Sequence, residues 1–296
     1  MLLTSLILWA ILGLIAAFLY YVHQVEPRRL QIEHIQVQLP GLPQELSGLR
    51  IAHLSDLHLQ DSRHAIETGQ NAVAQAMAQS PDFICITGDM AHHSVHAALA
   101  CRTLSGLDAI HGTYAVLGNH DMDESLELDL LAKRHERVTV RQWLAYARSA
   151  GIILLVNRHH VLDIGGKTVV VAGVGDPSSG YDDLEAAVAD APESDLRLLL
   201  SHSPDIFDDP RAEWADLILC GHTHGGQVRL PGIGTPWAPV WRRRDRASGL
   251  MRVADGTVAY VSRGAGSGTR ARFNCPPEVT ILELTPGYAE DLRLVR

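Results

Sequence analysis

The chain opens with an uninterrupted apolar run. Its first 22 residues, MLLTSLILWAILGLIAAFLYYV, include no charged side chain. A helix of this length, with a rise of 1.5 Å per residue, is about 33 Å long and can cross the hydrocarbon core of a bilayer. A cleaved signal peptide is the alternative, but no Lys or Arg precedes the run and no small-residue cleavage motif follows it. The sequence therefore predicts a retained transmembrane anchor over residues 1–22.

A segment rich in proline and glycine follows the anchor. Residues 23–48 are predicted to form a juxtamembrane connector, with a short edge strand at IEHIQVQL. Arg28 and Arg29 lie directly after the apolar run, whereas no basic residue precedes it. By the positive-inside rule, this asymmetry predicts that the main domain faces the cytoplasm.

From residue 49 onward, short apolar runs alternate with loops rich in Asp, His, Gly or Asn. Nine such runs are typical of buried strands: LRIAHLS, DFICITG, TYAVLG, GIILLV, TVVVAGV, LRLLLS, DLILCG, VAYVS and VTILEL. Four segments between them are typical of helices: AIETGQNAVAQAMAQS, HAALACRTLSGL, VRQWLAYARSAG and DLEAAVADA. Strands alternate with helices in the first part of this region and follow one another more closely toward its end. This order predicts one layered α/β domain over residues 49–296.

Composition narrows the class of protein. The chain has 296 residues, of which 46% are hydrophobic and 20% charged, as expected for a globular domain with one large core. Its net charge of −9 argues against a general attraction to nucleic acid, so no nucleic-acid partner is expected. Four widely separated cysteines form no CxxC pair, which predicts buried free thiols rather than disulfides or a zinc ribbon.

Polar clusters follow five of the predicted strands. The clusters are SDLH, TGDM, GNHD, SHSPD and GHTH, and open α/β sheets gather their ligands at the carboxyl ends of strands. An isolated HxH pair is equally compatible with a solvated polar turn, but five clusters together supply seven oxygen and nitrogen donors. Two divalent cations that share a bridging carboxylate require such a set. The candidate ligands are Asp56, His58, Asp89, Asn119, His202, His222 and His224.

In this order, the five motifs resemble those of the calcineurin-like metallophosphoesterase superfamily, over Leu49 to Leu284. The tail SRGAGSGTRARFNCPPEVTILEL and the apolar N-terminus resemble its membrane-anchored bacterial subgroup, which implies a single-pass protein of the bacterial inner (cytoplasmic) membrane. The resemblance implies a four-layer α/β/β/α sandwich, the metallo-dependent phosphatase fold, with an N-terminal transmembrane helix. It assigns Asp56, His58 and His224 to one cation and Asn119, His202 and His222 to the other, with Asp89 bridging the two.

The same resemblance implies a mechanism. A donor set without sulfur suits Mn²⁺, Fe²⁺ or Zn²⁺, and Mn²⁺ is the preferred prediction. Solvent between two such cations becomes hydroxide near neutral pH and attacks phosphorus in line. We expect His120 to protonate the leaving group and Asp121 to orient the His120 imidazole. An Asx-type turn is the alternative interpretation of the NHD sequence.

Two further regions are candidates for substrate binding. The segment TPWAPVWRRRDR concentrates basic and aromatic residues in an acidic protein and either binds anionic lipid head groups or forms a solvated loop. The glycine-rich stretch near the C-terminus either clamps a substrate phosphate or forms a flexible turn. The substrate-binding candidates are Trp237, Trp241, Arg242, Arg243, Arg244, Arg246, Arg270 and Arg272, whereas solvated or supporting roles are expected for His92, His93 and His96.

Taken together, the sequence predicts a monomeric, membrane-anchored phosphoesterase that hydrolyses a lipid-linked or amphiphilic phosphodiester or pyrophosphate. A UDP-diacylglucosamine-type molecule is one candidate substrate. The alternative is a phosphodiesterase for soluble nucleotides or cell-wall phosphodiesters. A binding module without catalysis is disfavoured, because all seven ligand positions and His120 are present.

Overall fold

The structure is a computed structural model that describes residues 2–122, 137–240, 244–266, 271–288, 292, 294 and 295. Two six-stranded sheets form the domain within these residues. The first sheet contains β1 (Gln31–Leu39), β2 (Arg50–Leu54), β3 (Phe83–Thr87), β4 (Thr113–Val116), β5 (Ile152–Leu154) and β12 (Glu278–Pro286). The second contains β6 (Arg158–Ile164), β7 (Lys167–Gly173), β8 (Leu196–Leu200), β9 (Leu217–Cys220), β10 (Gly249–Ala254) and β11 (Thr257–Val261).

Each sheet has a parallel centre. The first sheet has the order β1-β12-β2-β3-β4-β5, in which β2 to β5 are parallel and β12 runs antiparallel to β2. The second has the order β10-β11-β9-β8-β7-β6, in which β11, β9, β8 and β7 are parallel. Its two edge strands, β10 and β6, pair antiparallel with their neighbours. The carboxyl ends of all the central parallel strands are therefore available to build one site.

Three hydrophobic clusters define the layers. The middle cluster lies between the sheets, where residues such as Ile51 and Phe83 meet Leu198 and Leu219. One outer cluster packs the first sheet against three helices, α2 (Arg63–Ala78), α3 (Ala97–Leu104) and α4 (Val140–Ser149). The other packs the second sheet against α5 (Leu184–Val188) and neighbouring 3₁₀ turns. Successive strand residues point to opposite faces, so each sheet has two apolar faces and must be covered on both.

This architecture confirms the predicted four-layer α/β/β/α sandwich. All nine predicted strands are present, the four predicted helices correspond to α2 to α5, and the edge strand within the connector is β1. The four cysteines are free and buried, as predicted. Two strands were not predicted, β6 and β10. Both lie at sheet edges, where β6 with the sequence RHHVLDI has polar and half-exposed positions that weaken the apolar pattern.

The N-terminal apolar run is helical. Helix α1 (Leu2–Tyr20) continues through further helical turns to Arg28, and this stretch is long and apolar enough to be a candidate membrane span. The side chains of α1 are exposed along its whole length. At its end the chain turns against the domain, where the Phe18 and Phe273 rings meet edge to face and the Arg272 amide donates to the Val22 carbonyl. Buried Glu26 accepts a hydrogen bond from the Cys275 amide.

A histidine in the core of the first sheet generates a pH prediction. His53 in β2 is fully buried, its Nε2 lies 2.8 Å from Thr87 Oγ1, and burial lowers its pKa to about 3. The unfolded chain therefore binds more protons than the folded one between the ordinary histidine pKa and about 3. Stability from this group is complete above the ordinary pKa and is lost as the pH falls through that window.

We expect His53→Gln, which keeps a polar partner for Thr87, to weaken the acid sensitivity of folding. In urea titrations of the detergent-solubilised protein, wild type loses about 1.4 kcal/mol of unfolding free energy per pH unit more than the variant below the ordinary histidine pKa. Parallel pH dependences for the two proteins would contradict a buried, neutral His53.

Candidate metal centre

The seven predicted ligands come from the carboxyl ends of five parallel strands. Asp56 and His58 follow β2, Asp89 follows β3, and Asn119 follows β4 in the first sheet. His202 follows β8, and His222 and His224 follow β9 in the second. Because the two sheets face each other, these ends meet across the top of the middle hydrophobic layer. The structure therefore brings all seven side chains together.

One group of donors contains Asp56, His58 and His224. The Nε2 atoms of His58 and His224 lie 3.1 Å apart, and His224 Nε2 lies 3.4 Å from Asp56 Oδ1. All three side chains are buried. Burial lowers the pKa of both imidazoles well below the ordinary value, which favours the neutral form that binds metals.

A second group contains Asn119, His202 and His222. The Asn119 Oδ1 atom lies 3.2 Å from His202 Nε2 and 3.2 Å from His222 Nδ1. These two ring nitrogens are themselves 3.2 Å apart. The Nδ1 atom of His202 faces the Thr87 carbonyl at 2.7 Å, which fixes the ring and turns its Nε2 atom toward the other donors.

Asp89 lies between the two groups. Its Oδ2 atom is 3.6 Å from His58 Nε2 in the first group and 3.3 Å from His202 Nε2 in the second. Its other oxygen, Oδ1, accepts a hydrogen bond from the His120 amide at 2.9 Å. A carboxylate in this position is within reach of both donor groups, which is the arrangement that a bridging ligand requires.

The donor chemistry fits divalent cations. Neighbouring donors lie 3.1 to 3.6 Å apart, and ligands about 2.0 to 2.2 Å from a shared cation are separated by similar distances. Two combinations of these donors are compact enough to hold an ion. One is Asp56 with His58 and His224, and the other is Asp56 with Asp89 and His202. The residues therefore form a dinuclear site for divalent metals built from nitrogen and oxygen ligands.

The ligand turns are conformationally strained. Five of the seven ligands have positive φ angles: Asp56 (52°), His58 (48°), Asp89 (50°), His222 (67°) and His224 (49°). Left-handed backbone costs a side-chain-bearing residue about 1 to 2 kcal/mol. This conformation turns each chain sharply out of its strand, so that side chains near one another in sequence reach the same ion.

Glycines allow the ligand turns to approach each other. A Cβ atom on Gly118 would overlap Asp89 Oδ1, and one on Gly221 would overlap Ser55 Oγ and Asp56 Oδ2. The glycines of the GNHD and GHTH motifs thus have a steric role, because only a residue without a side chain leaves room for the ligand carboxylates.

His120 lies beside the first donor group, but its predicted partner is wrong. The His120 ring is 4.6 Å from the His58 ring, and its Nδ1 atom faces the His92 carbonyl at 3.0 Å. The Asp121 carboxylate instead accepts hydrogen bonds from the backbone amides of Met90, Ala91 and Gly118. Asp121 is fully buried and holds the two ligand loops together, which leaves the orientation of His120 to a backbone carbonyl.

Arg272 does not form the predicted phosphate clamp. Its side chain is completely buried, and its guanidinium donates to the carbonyls of Arg263, Gly264, Gly266 and Cys275. These bonds use the guanidinium to fold the glycine-rich stretch, so a substrate phosphate has no access to it. The loop in turn supports the metal centre, because the Gly266 amide donates to the Asp56 carbonyl.

The segment TPWAPVWRRRDR contains one exposed and one buried candidate among the side chains that the structure describes. Trp237 is 65% exposed, whereas Arg246 is buried with its guanidinium paired to Asp208 at 2.8 Å. Arg246 therefore supports the loop instead of presenting a charge. Trp241, Arg242, Arg243 and Arg270 lie outside the described residues, as does the side chain of Arg244.

Two residues outside the donor set support the site: His92, for which a supporting role was one expectation, and Glu26, which was not predicted. The His92 ring stacks on the His120 ring at 5.4 Å with an angle of 20°, in addition to the carbonyl contact. Glu26, near the end of the N-terminal apolar helix, supports Cys275, whose Sγ atom donates to the carbonyl of His224. The spacing of His92, three residues after Asp89, was a signal for the first; no local pattern marks Glu26.

Comparisons with known proteins agree with this geometry. Residues 49–226 match the family model described as calcineurin-like phosphoesterase. The chain is 35% identical to phosphodiesterase YaeI of Escherichia coli K12, over 89% of this chain and 92% of that protein. It is 26% identical to the UDP-2,3-diacylglucosamine pyrophosphatase LpxG of Chlamydia trachomatis, over 88% and 91% of the two chains. Among solved structures, TT1561 of Thermus thermophilus aligns with 74% of this chain and 91% of its own, at 14% identity and a TM-score of 0.46.

The family match, the identity to curated relatives and the convergence of the donors lead to one conclusion. The chain belongs to the calcineurin-like phosphoesterase family and is a metal-dependent phosphoester hydrolase.

Proposed function

We propose that this protein is a membrane-anchored phosphodiesterase or pyrophosphatase that acts on a lipid-linked or amphiphilic substrate with two divalent cations. The observation that supports it best is the position of Asp89. Its carboxylate lies 3.6 Å from His58 Nε2 and 3.3 Å from His202 Nε2, between two donor groups that each combine residues from both sheets.

In this proposal Asp56, His58 and His224 hold one cation and Asn119, His202 and His222 the other, with Asp89 shared. The nitrogen and oxygen donors without sulfur suit Mn²⁺, Fe²⁺ or Zn²⁺, and Mn²⁺ is the ion that we propose. When bound, the two cations supply Lewis acidity to the phosphoryl oxygens and lower the pKa of a water molecule between them.

His120 serves as the general acid. Its Nδ1–H donates to the His92 carbonyl, which fixes the tautomer and directs the Nε2 atom away from the backbone. As an imidazolium it transfers the Nε2 proton to the leaving oxygen while the bond to phosphorus breaks. Asp121 contributes indirectly, because its carboxylate fixes the backbone of the loop that carries His120.

The membrane is the proposed source of the substrate. The candidate span Leu2–Arg28 ends against the domain, and residues 23, 24, 27 and 28 line a cavity that includes His58. Exposed Trp237 suits the interfacial region of a bilayer. LpxG, a relative over most of the chain, is named a UDP-2,3-diacylglucosamine pyrophosphatase. We place the domain on the cytoplasmic side of the bacterial inner membrane, because Arg28 and Arg29 follow the span.

Asp89→Ala tests the shared ligand. We expect the Mn²⁺ content to fall from two ions to one or none and kcat/KM for bis(p-nitrophenyl) phosphate to fall by more than about 10²-fold, since even the loss of an outer partner of a ligand costs 10- to 100-fold. Elemental analysis and steady-state kinetics give the two values. Exposed Asp108→Ala is the matched control. Unchanged metal content and turnover in Asp89→Ala would exclude a bridged metal centre here.

His120→Ala separates proton transfer from metal binding. We expect full metal content with a loss of about 10²- to 10⁴-fold in kcat for a substrate with a strongly basic leaving group. The loss is smaller for p-nitrophenolate, because this leaving group needs little protonation. Equal losses for both leaving groups would show that His120 does not act as the acid.

The source of the substrate is tested by measuring how fast the Mn²⁺-loaded enzyme hydrolyses a lipid-linked and a soluble UDP compound. We expect kcat/KM for UDP-diacylglucosamine in mixed micelles to exceed that for soluble UDP-N-acetylglucosamine by at least about tenfold, equivalent to about 1.4 kcal/mol of additional binding. We expect Trp237→Ala to reduce only the micellar value. Turnover confined to the soluble compound would assign the enzyme to nucleotides and leave the anchor with a role in location alone.

A further inference from the structure

A groove runs to the surface from beside His58, between the juxtamembrane segment and the beginning of α2. It consists of an inner cavity of about 70 Å³ next to His58 and an outer cavity of about 620 Å³. The two cavities share Pro27, Arg28, His64 and Thr68 in their walls. We call this feature, with both cavities, the juxtamembrane groove.

The inner end of the groove is lined by one of the candidate metal ligands. His58, a ligand in the first donor group, is only 2% exposed and lines the inner cavity together with Gln24 and Arg28. A single water needs about 10 to 15 Å³ in this measure, so the inner cavity has room for a group of several heavy atoms. A substituent on a phosphorus atom held near His58 can therefore extend directly into the groove.

The lining of the groove is cationic in an acidic protein. Among the described lining residues, Arg28, Arg63, His23 and His64 carry basic groups, against one acid. That acid, Glu67, is paired with Arg63 at 2.7 Å. The N-terminus of α2, a 16-residue helix capped by Ser62, also lines the inner cavity. The positive end of its helix dipole therefore faces the groove.

Arg28 is the basic residue held at the junction of the two cavities. Its guanidinium donates to Gln24 Oε1 at 3.0 Å. The adjacent Pro27 and Glu26 are buried, and the Glu26 carboxylate is bonded to the Cys275 amide, so the backbone of Arg28 is anchored to the domain. A guanidinium with a fixed base can meet a phosphoryl group in a bidentate manner at low entropic cost.

We propose that the juxtamembrane groove binds a second phosphoryl group of the substrate, attached to the one that reacts, through Arg28. This inference rests on the proposed phosphoesterase function and narrows it: the enzyme selects diphosphate-linked substrates over simple diesters. The second phosphoryl group lies in the inner cavity, and the remainder of the molecule follows the outer cavity toward the membrane surface.

Two variants of adjacent arginines test this proposal. Arg28→Gln removes one charge from the groove, whereas Arg29→Gln removes a charge that bonds to Tyr21 and does not line the groove. Both arginines are exposed, so the two variants are matched in burial. The first readout is the ratio of kcat/KM for UDP-diacylglucosamine to that for bis(p-nitrophenyl) phosphate. We expect a fall of about tenfold in Arg28→Gln, which corresponds to the loss of one charge-assisted contact, and the wild-type ratio in Arg29→Gln.

The second readout needs no turnover. Methylenediphosphonate, which cannot be hydrolysed, and methylphosphonate are titrated calorimetrically into the Mn²⁺ form of each full-length protein in detergent. We expect Arg28→Gln to weaken binding of the diphosphonate about tenfold and to change that of the monophosphonate far less. A wild-type enzyme that shows this pattern but hydrolyses neither substrate would contradict the proposed function and support the groove.

Membrane lipid is the competing ligand for Arg28. Binding to vesicles of phosphatidylglycerol and phosphatidylcholine distinguishes this source of phosphate from the substrate. Unchanged diphosphonate affinity and an unchanged kinetic ratio in Arg28→Gln would overturn the proposal, and weaker vesicle binding alongside them would assign Arg28 to lipid head groups instead.

Discussion

The convergence of seven donors at one point, five of them buried, is the constraint on which this structure depends. Carboxylates and imidazoles resist burial unless a charge or hydrogen bond compensates them, and here they face each other at 3.1 to 3.6 Å. Two divalent cations meet this requirement. The fold supplies the remaining conditions, with parallel strands that end together in both sheets and left-handed turns that direct the ligands inward.

The support of the metal centre extends to the N-terminal apolar helix. Arg272 folds the glycine-rich stretch, whose Gly266 amide bonds to the Asp56 carbonyl, and the Arg272 amide bonds to the Val22 carbonyl. Cys275 connects Glu26 to the carbonyl of His224 in a second path. The two paths reach ligands of the same donor group, so the end of the N-terminal helix and the geometry of the site have shared supports.

The sequence predicted the central strands, and the candidate donors that the structure brings together, because both leave local patterns. Apolar runs of four to seven residues mark β3 or β7, and Asp or His directly after them marks the site. It was insufficient where a role depends on tertiary contacts. Arg272 is a residue type that commonly binds phosphate, but its guanidinium bonds to carbonyls of its own loop. Asp121 directly follows His120 in sequence, yet its carboxylate bonds to the amides of Met90 and Ala91. Edge strands such as β10 lack a buried pattern on both faces.

The place of β12 has a consequence for biosynthesis. This last strand lies between β1 and β2, and β1 pairs with β12 along nine residue positions. The first sheet consequently stays open on the ribosome until β12 emerges, although β1 and β2 are translated early. An unpaired β2 edge, adjacent to Asp56, is exposed throughout that interval. Synthesis through β12 thus precedes a complete first sheet, and translation products that stop before it leave a sheet edge prone to aggregation.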